Sequence, residues 1–246
     1  MLFRSDVKPG SRRATSLFVP AANIILAMAD DYRRYAPATQ RNRQPILAVL
    51  TRVLPPKGTV LEVSSGTGEH AIFFAPRLKP RFWLPTDVSP VALQSIAAWQ
   101  QAEPADNLCP PLQLDARQLS WPFEAETGPP SVDLGQHPIT AIVSINMVHI
   151  APWDACQGLM AGAGRLLPTH GVLYLYGPFK RSGEHTASSN EAFDRSLRSQ
   201  DPEWGVRDLE TVVAEAEPHR LYLQEIVDMP ANNLSVVFRK VAAARE

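Results

Sequence analysis

Two glycines and an acid in the first half of the sequence have the order of a ligand-binding loop. Gly66-Thr67-Gly68-Glu69-His70-Ala71 fits the pattern G-x-G-x-x-A and lies between a predicted strand and a predicted helix. Glycines let the backbone turn sharply and approach a ligand closely. Asp87 ends the next predicted strand, where a carboxylate can accept both hydroxyl hydrogens of a ribose. The pattern predicts a nucleoside-binding loop, although a tight turn that only packs a helix on a strand would also use these glycines.

A second acid indicates which nucleoside the loop binds. Glu62 lies in the strand that leads into the loop, where its charge would repel a pyrophosphate and attract a cationic amino group. S-adenosylmethionine has a ribose, an ammonium and a sulfonium but no phosphate, so it is the predicted cofactor. Glu62 would orient the loop or the ammonium, or would only bind N–H groups of its own loop. Asp115, at the end of the third predicted strand, either accepts the adenine amine or caps the strand end.

The acceptor of a transferred group should lie beside the ends of the fourth and fifth strands. Asn146, His149 and Tyr176 are the candidate catalytic residues there. Asn146 can accept a hydrogen bond from an N–H or O–H group of the acceptor, and His149 titrates near neutrality and can act as a base. The alternatives are a hydrogen-bonded histidine in a packed turn and an aromatic side chain that only fills the core.

A long polar segment, 180–207, is typical of a lid over a binding site. Arg207 within it can bind a carboxylate or phosphate bidentately, or can pair with Glu210 on an exposed helix. Asn232 and Asn233 form a turn late in the chain, as adjacent asparagines often do. The predicted substrate-binding residues are Phe179, His185, Asn190, Trp204, Arg207 and Asn232.

Strands and helices must alternate to bring these residues together. Helical spacing of apolar residues predicts helices at 39–54, 69–78, 89–102, 152–167, 190–199 and 206–216. Apolar or β-branched runs predict strands at 59–64, 81–86, 111–114, 139–146, 171–177, 221–229 and 234–240. The alternation predicts an α/β fold with a parallel sheet, and the tight turn at 230–233 predicts a closing antiparallel hairpin.

Composition narrows the class of protein. The chain has 246 residues, is 45% hydrophobic and carries a net charge of -1, which predicts one domain and disfavours a nucleic-acid acceptor. Two cysteines are too few for a disulfide framework, and no apolar run reaches the ~18 residues that span a bilayer. We therefore expect a cytoplasmic protein with a small-molecule substrate, no membrane contact and no metal; the oligomeric state stays open.

The first 32 residues are predicted to be an extension to a single domain at 33–246. Arg12 and Arg13 precede an apolar stretch that ends in Ala27-Met28-Ala29, as in a secretory signal. Pro20 and Asn23 interrupt that stretch. A disordered tail, or a misplaced translation start with Met28 as the first residue, is the favoured interpretation.

Longer strings resemble a known family. VLEVSSGTGEH, PTDVSP, LQLDAR and ITAIVSIN resemble the cofactor motifs of class I S-adenosylmethionine-dependent methyltransferases. Over residues 33–240, ATQRNRQPIL, SSGTGEHA, SINMVHIAPWDACQGL, LYLYGPFKRSGEHTASSNEAFD, DPEWGVRDLE and MPANNLSVVFRK resemble the uncharacterised methyltransferase-like 26 family. The resemblance implies the Rossmann-like methyltransferase fold, with a seven-stranded sheet, the last strand antiparallel, and helices on both faces.

The resemblance also implies where S-adenosylmethionine binds. The cofactor-binding positions would be Glu62, Ser64, Gly66, Thr67, Gly68, His70, Asp87, Asp115 and Asn146. Ser64 departs from the usual acidic-x-Gly-x-Gly-x-Gly motif of class I methyltransferases, which has a glycine there. The predicted activity is in-line methyl transfer to a small molecule. An NAD(P)-dependent oxidoreductase and a non-catalytic protein that binds an adenosyl ligand are the alternatives.

Overall fold

Seven strands form one sheet in the computed structural model, which describes residues 31–124 and 133–243. The predicted extension therefore lies, up to residue 30, outside the described residues. Seven strands belong to this sheet, and β6 and β7 lie outside it. In chain order the strands are β1 (Thr59–Val63), β2 (Phe82–Asp87), β3 (Leu112–Gln113), β4 (Ile139–Ile145), β5 (Val172–Gly177), β6 (Lys180–Arg181), β7 (Glu184–His185), β8 (Leu221–Met229) and β9 (Asn233–Lys240). The α-helices are α1 (Pro37–Val53), α2 (Glu69–Phe74), α3 (Pro90–Ala102), α4 (Trp153–Leu166), α5 (Ser188–Gln200) and α6 (Leu209–Ala216).

The sheet confirms the predicted fold class. Its strand order is β3-β2-β1-β4-β5-β9-β8, while β6 and β7 form a separate short hairpin that the sequence did not predict. β1 to β5 run parallel, and β9 runs antiparallel to both β5 and β8. The order of the parallel strands reverses between β1 and β4, and ligands of open α/β sheets bind outside the carboxyl ends of the strands at such a point.

Helices cover both faces of the sheet, as predicted. α1, α2 and α3 contribute apolar side chains to one core, which includes Ile46, Phe74 and Trp99. α4 and α6 contribute Leu159 and Val212 to the other core. Every residue of β1 and β5 is buried, which explains the continuous apolar runs in the sequence.

The start of α1 extends past the carboxyl edge of the sheet. The helix has 17 residues and is about 25 Å long, whereas the five residues of the following β1 span about 17 Å. Since α1 runs back along the sheet before β1, the excess length lies above the strand ends. The first turns of α1 thus reach the edge where a ligand would bind.

Two glycines of α4 have a packing role. A Cβ on Gly158 would lie 2.1 Å from the Ala116 carbonyl oxygen, and one on Gly162 would lie 2.3 Å from the Trp121 ring. Their missing side chains let the segment after β3 pack directly on the helix. α4 thereby fixes the position of the chain that follows Asp115.

Candidate active site

The loop after β1 uses its two glycines differently. Gly66 and Gly68 have φ of 59° and 88°, in the left-handed region. A Cβ on Gly68 would lie 2.9 Å from Ile96 Cα, so this glycine packs the loop on α3. A Cβ on Gly66 would meet nothing within 4 Å. The Gly66 side of the loop is therefore open and can accept a flat ligand at van der Waals distance.

Ser64 occupies the loop's strained position. Its φ is 61°, a conformation that a serine adopts only at a cost and that the glycine of the usual motif would adopt freely. The substituted residue thus keeps the backbone path of the motif.

Asp87 connects β2 to the open loop. Its carboxylate is 7% exposed and accepts the N–H groups of Gly66 and Ser89, both at 2.9 Å. Each oxygen keeps a lone pair for a further donor. This carboxylate lies beside the open face of Gly66.

Asp115 is already engaged by a neighbour. It accepts the Arg117 N–H at 3.0 Å and the Arg117 guanidinium at 2.7 Å, and this pair holds the pKa of Asp115 below its usual value. Its side chain keeps 26% of its surface exposed. Both sequence interpretations, ligand contact and strand-end cap, remain compatible with this geometry.

Glu62 orients the loop from below. The side chain is 1% exposed, and Oε2 accepts the Ser65 hydroxyl and the Trp83 indole N–H, both at 2.9 Å. Burial raises the pKa of Glu62 to about 7, against the opposing effect of these two donors. A direct contact with a cofactor ammonium does not fit this burial. The hydrogen-bond partners of Glu62 are side chains. The alternative expectation, that Glu62 binds backbone N–H groups of its own loop, is therefore also not what the structure shows.

His70 supports α1 instead of facing the open side of the loop at Gly66. Its ring is 9% exposed, stacks on Phe74 at 5.3 Å and has Nε2 2.9 Å from Asn42 Oδ1. Burial, with the Arg43 charge, lowers the pKa of His70 to about 4, so the ring is neutral and donates to Asn42. The predicted cofactor contact is therefore replaced by a helix-to-helix bond.

Thr67 joins the loop to the chain segment before α1. The Ser95 hydroxyl donates to the Thr67 carbonyl at 2.8 Å, and the Arg34 N–H donates to the Ser95 oxygen at 2.9 Å. The Thr67 hydroxyl donates to Glu69 Oε2 at 3.1 Å, and that oxygen also accepts the Ala36 N–H. Residues 33–36 thus lie against the supports of the loop, a contact that no local sequence pattern shows.

A cavity of about 570 Å³ opens above the carboxyl ends of β4 and β5. Its walls are the first turns of α1 and α5 and the turn between β8 and β9. The lining residues are Ala38, Arg41, Asn42, Asn146, Tyr176, Pro178, Ser189, Asn190, Phe193, Pro230, Ala231, Asn232 and Asn233. Four of the predicted site residues therefore meet in one place: Asn146, Tyr176, Asn190 and Asn232.

Backbone and side-chain bonds hold these four residues in place. Asn146 has a φ of 64° and donates its N–H to the Tyr176 carbonyl at 2.7 Å. Asn190 is 4% exposed and donates to the Asn232 carbonyl at 2.9 Å. Burial raises the pKa of Tyr176, while the Asn42 amide and the Arg41 charge oppose that rise. The phenol is therefore a hydrogen-bonding group at neutral pH.

His149 and Arg207 are placed outside this cavity, contrary to expectation. His149 is fully buried, Nδ1 accepts the Arg207 N–H at 3.3 Å, and burial lowers the pKa of the ring to about 3. A buried imidazole this weak in basicity does not fit a general base at neutral pH. The Arg207 guanidinium donates to the carbonyls of Val148, Ala151 and Glu203 at 3.0, 2.7 and 2.7 Å. It is engaged by backbone, neither free for a substrate nor paired with Glu210.

Three other predicted substrate residues also lie away from the cavity lining. Phe179 is fully buried and packs edge-on against the His149 ring at 4.7 Å. His185 lies with Nε2 3.5 Å from Asp194 Oδ2, and Trp204 is half-buried in the connection before α6. The polar segment 180–207 thus forms β6, β7 and α5 and contributes to the cavity mainly through the start of α5.

Sequence reasoning missed Arg41 and Asn42. Both lie in ATQRNRQPIL, which carried the family resemblance but received no role. The signal was available, because a long helix before the first parallel strand must begin near the carboxyl edge of the sheet.

One family model matches most of the chain. A family model described as Protein of unknown function (DUF938) matches residues 33–240. The chain belongs to this family. The narrower resemblance to the methyltransferase-like 26 family stays a prediction.

Three solved structures with a similar fold are of methyltransferases or of members of their families. An O-methyltransferase family protein from Burkholderia thailandensis superposes with a TM-score of 0.67 at 11% identity, over 84% of this chain and 58% of that one. An O-methyltransferase family 2 protein from Planctomyces limnophilus in complex with apigenin gives 0.63 at 18% identity, over 81% and 62%. Human N-acetylserotonin methyltransferase in complex with S-adenosylmethionine gives 0.64 at 11% identity, over 83% and 53%.

These similarities show the class I methyltransferase fold. The chain spans only 53–62% of the length of these three proteins. Within the described ranges, no helix is long and apolar enough to cross a membrane, and no three His, Cys, Asp or Glu side chains group around a potential metal position.

Proposed function

We propose that the chain transfers a methyl group from S-adenosylmethionine to a small-molecule acceptor. The observation that carries the proposal is the open face of Gly66 beside the Asp87 carboxylate, at the same sheet edge as the cavity over β4 and β5. The open face of Gly66 follows β1 and the cavity follows β4 and β5, so the two lie on either side of the strand-order reversal, an arrangement that suits a two-substrate transfer.

The residues present fit the cofactor. Gly66 offers a surface without a side chain, and Asp87 has acceptor lone pairs for ribose hydroxyls. Asp115, at the next strand end, is within the region expected for the adenine. Asn146, which follows β4 and lines the cavity, would adjoin the sulfonium end.

When bound, S-adenosylmethionine supplies a methyl carbon already activated by sulfonium. The chain's own residues then have to align the acceptor and exclude water, which can contribute several kcal/mol. Asn146 and Tyr176 present an amide and a phenol to an acceptor in the cavity, and the α5 start and the 230–233 turn cover it. This division matches a reaction in which positioning is the main protein contribution.

Ligand titration of a matched glycine pair tests the cleft. Gly66→Ala and Gly183→Ala both place a methyl group at a left-handed φ, 59° and 81°, in open space. Both variants carry the same backbone cost, of about 1–2 kcal/mol. We expect Gly66→Ala to weaken S-adenosylmethionine binding at least about tenfold, equal to about 1.4 kcal/mol, and Gly183→Ala to leave it within about twofold.

Isothermal titration calorimetry with S-adenosylmethionine, S-adenosylhomocysteine and NAD⁺ gives the readout. Tighter binding of NAD⁺ than of S-adenosylmethionine would favour the oxidoreductase alternative, and equal losses in both variants would remove the cleft assignment. Formation of S-adenosylhomocysteine with a small-molecule extract then measures turnover. Binding without turnover would identify a non-catalytic adenosyl-binding protein.

A further inference from the structure

The lining of the cavity over β4 and β5 has an uneven charge. Among its lining residues Arg41 is the one ionised side chain, and the remaining polar groups are neutral amides, a serine and a phenol. Arg41 takes part in none of the ion pairs between described residues. The Arg41 charge reaches the cavity floor, because it lowers the pKa of the Tyr176 phenol against the effect of burial.

Neighbouring arginines are engaged elsewhere. Arg33 pairs with Asp31 at 2.8 Å. Arg43 and Arg77 lie over the Phe73 ring, at 4.6 and 4.0 Å from its centre. Arg41 differs from them because it lines the cavity over β4 and β5 and has no ion-pair or ring partner in the part of the chain that the structure describes.

Two helix starts add positive potential to the same cavity. α1 and α5, of 17 and 13 residues, begin at its wall, and neither has a side-chain cap on its first N–H groups. Each helix start carries a partial positive charge that favours an anion nearby. Their effect adds to the guanidinium, which remains the group able to bind an anion directly.

We propose that the acceptor is a small carboxylic acid whose carboxylate pairs with Arg41. The planar guanidinium matches a carboxylate bidentately, and its single charge balances one carboxylate. The half-exposed Phe193 ring, with Pro178, offers an apolar surface for the rest of the molecule. This inference rests on the proposed methyl transfer and specifies the class of its acceptor.

A carboxylate also exists in the methionine part of S-adenosylmethionine, so the test separates the two sources. The variants are Arg41→Gln and a control, Arg43→Gln, which removes a guanidinium two residues away on the same helix but outside the cavity. Affinity for S-adenosylhomocysteine is measured first, by calorimetry. Benzoate and its uncharged analogue benzamide are then titrated, with and without saturating S-adenosylhomocysteine, and followed by ligand-observed NMR.

We expect benzoate to bind the wild-type complex at least about tenfold more tightly than benzamide. Arg41→Gln should reduce this preference to within about twofold, while Arg43→Gln retains it, and neither variant should change S-adenosylhomocysteine affinity more than about twofold.

Three results would overturn the inference. They are an equal affinity for the two probes, no benzoate binding, and a tenfold loss of S-adenosylhomocysteine affinity in Arg41→Gln, which would assign Arg41 to the cofactor carboxylate. Failure of the wild type to bind S-adenosylhomocysteine would instead reject the proposed function, and that result is obtained separately.

Discussion

Two carboxylates at the ends of neighbouring strands have different environments. Asp87 accepts two backbone N–H groups at the cleft, while Glu62 is sealed beneath the loop between Ser65 and Trp83. Burial raises the pKa of Glu62 to about 7. Glu62 is therefore partly protonated at neutral pH, and its role is to hold the loop from the interior.

The raised pKa of Glu62 predicts a pH-dependent contribution to stability. The folded value is about 7 and the ordinary value is 4.5, so the native state alone takes up a proton as the pH falls from 8 to 5. This uptake stabilises the native state by about 2.5 kcal/mol over that range. Glu62→Gln removes the effect. As the pH falls from 8 to 5, the free energy of unfolding of wild type should therefore rise by about that amount relative to the variant.

Urea unfolding of both proteins at pH 8 and pH 5 measures this difference. A constant gap between wild type and Glu62→Gln at the two pH values would show that Glu62 is ionised in both and would contradict its assigned environment.

For individual residues, the sequence predicted which ones lie at strand ends but not which of their side chains are buried. Asn146, Tyr176, Asn190 and Asn232 meet in the cavity because strand ends and turns on one sheet edge must be close. His149 follows Asn146 by three residues, yet the short helical turn after β4 points its ring into the core, against Phe179. Burial of a polar side chain depends on which distant segment covers it, and local sequence does not carry that information.

Helices set the shape of the site more than the sequence pattern suggested. The start of α1 contributes a wall of the cavity, and α4 determines where the segment after β3 runs. Boundaries of the predicted helices and strands agree with the structure to within a few residues, since periodicity and proline positions define them locally. The contacts between elements, such as Asn42 with His70, depend on the packed fold.

A glycine-to-alanine change in α4 tests this packing. Gly158→Ala would place a Cβ 2.1 Å from the Ala116 carbonyl oxygen, a backbone atom that cannot move alone. Alanine favours a helix by up to about 1 kcal/mol over glycine, but overpacking costs about 1–3 kcal/mol. We expect a net loss of about 1–2 kcal/mol in the free energy of unfolding.

Gln157→Ala is the control, because Gln157 is the exposed neighbour in the same helix. It should change the free energy of unfolding by less than about 0.5 kcal/mol. A Gly158→Ala protein at least as stable as wild type would show that the segment after β3 does not pack on α4 as described.

The directions of the strands were predictable because they follow from few rules. Strand–helix alternation requires parallel strands, and a two-to-four-residue turn between the last two strands requires an antiparallel pair. The short β6–β7 hairpin was missed because its two-residue strands carry no periodic pattern.

Buried groups with opposite effects weaken the predicted dependence of the whole molecule's stability on pH. His70 and His149 have pKa values of about 4 and about 3, below the ordinary 6.5. Their contribution is fully present above pH 6.5 and declines as the pH falls, by about 2 kcal/mol each between pH 8 and pH 5. The gain of about 2.5 kcal/mol from Glu62 offsets much of this loss.

Between pH 8 and pH 5 the free energy of unfolding of wild type should therefore fall by about 2.5 kcal/mol less than that of Glu62→Gln. The urea series is repeated in 0.5 M sodium chloride, where the screening length is about 4 Å. Salt of this concentration weakens surface charge pairs much more than buried ones, so a pH effect that persists is due to the buried groups. Equal losses in the two proteins would contradict the opposing effects.

The reversed direction of β9 places its end, near the carboxyl terminus of the described chain, at the sheet edge opposite the cavity. The strand descends from the cavity turn to Lys240, whose ammonium binds the carbonyls of Gly164 and His219 at 2.6 Å on the far side of the sheet. Residues 33–36, in contrast, lie against Ser95 and Glu69, which support the glycine loop at the carboxyl edge of the sheet. Tethering the protein to a sensor chip through residues 241–243 would leave the cavity turn facing the flow, whereas a bulky label on residues 33–36 would stand next to the supports of the glycine loop.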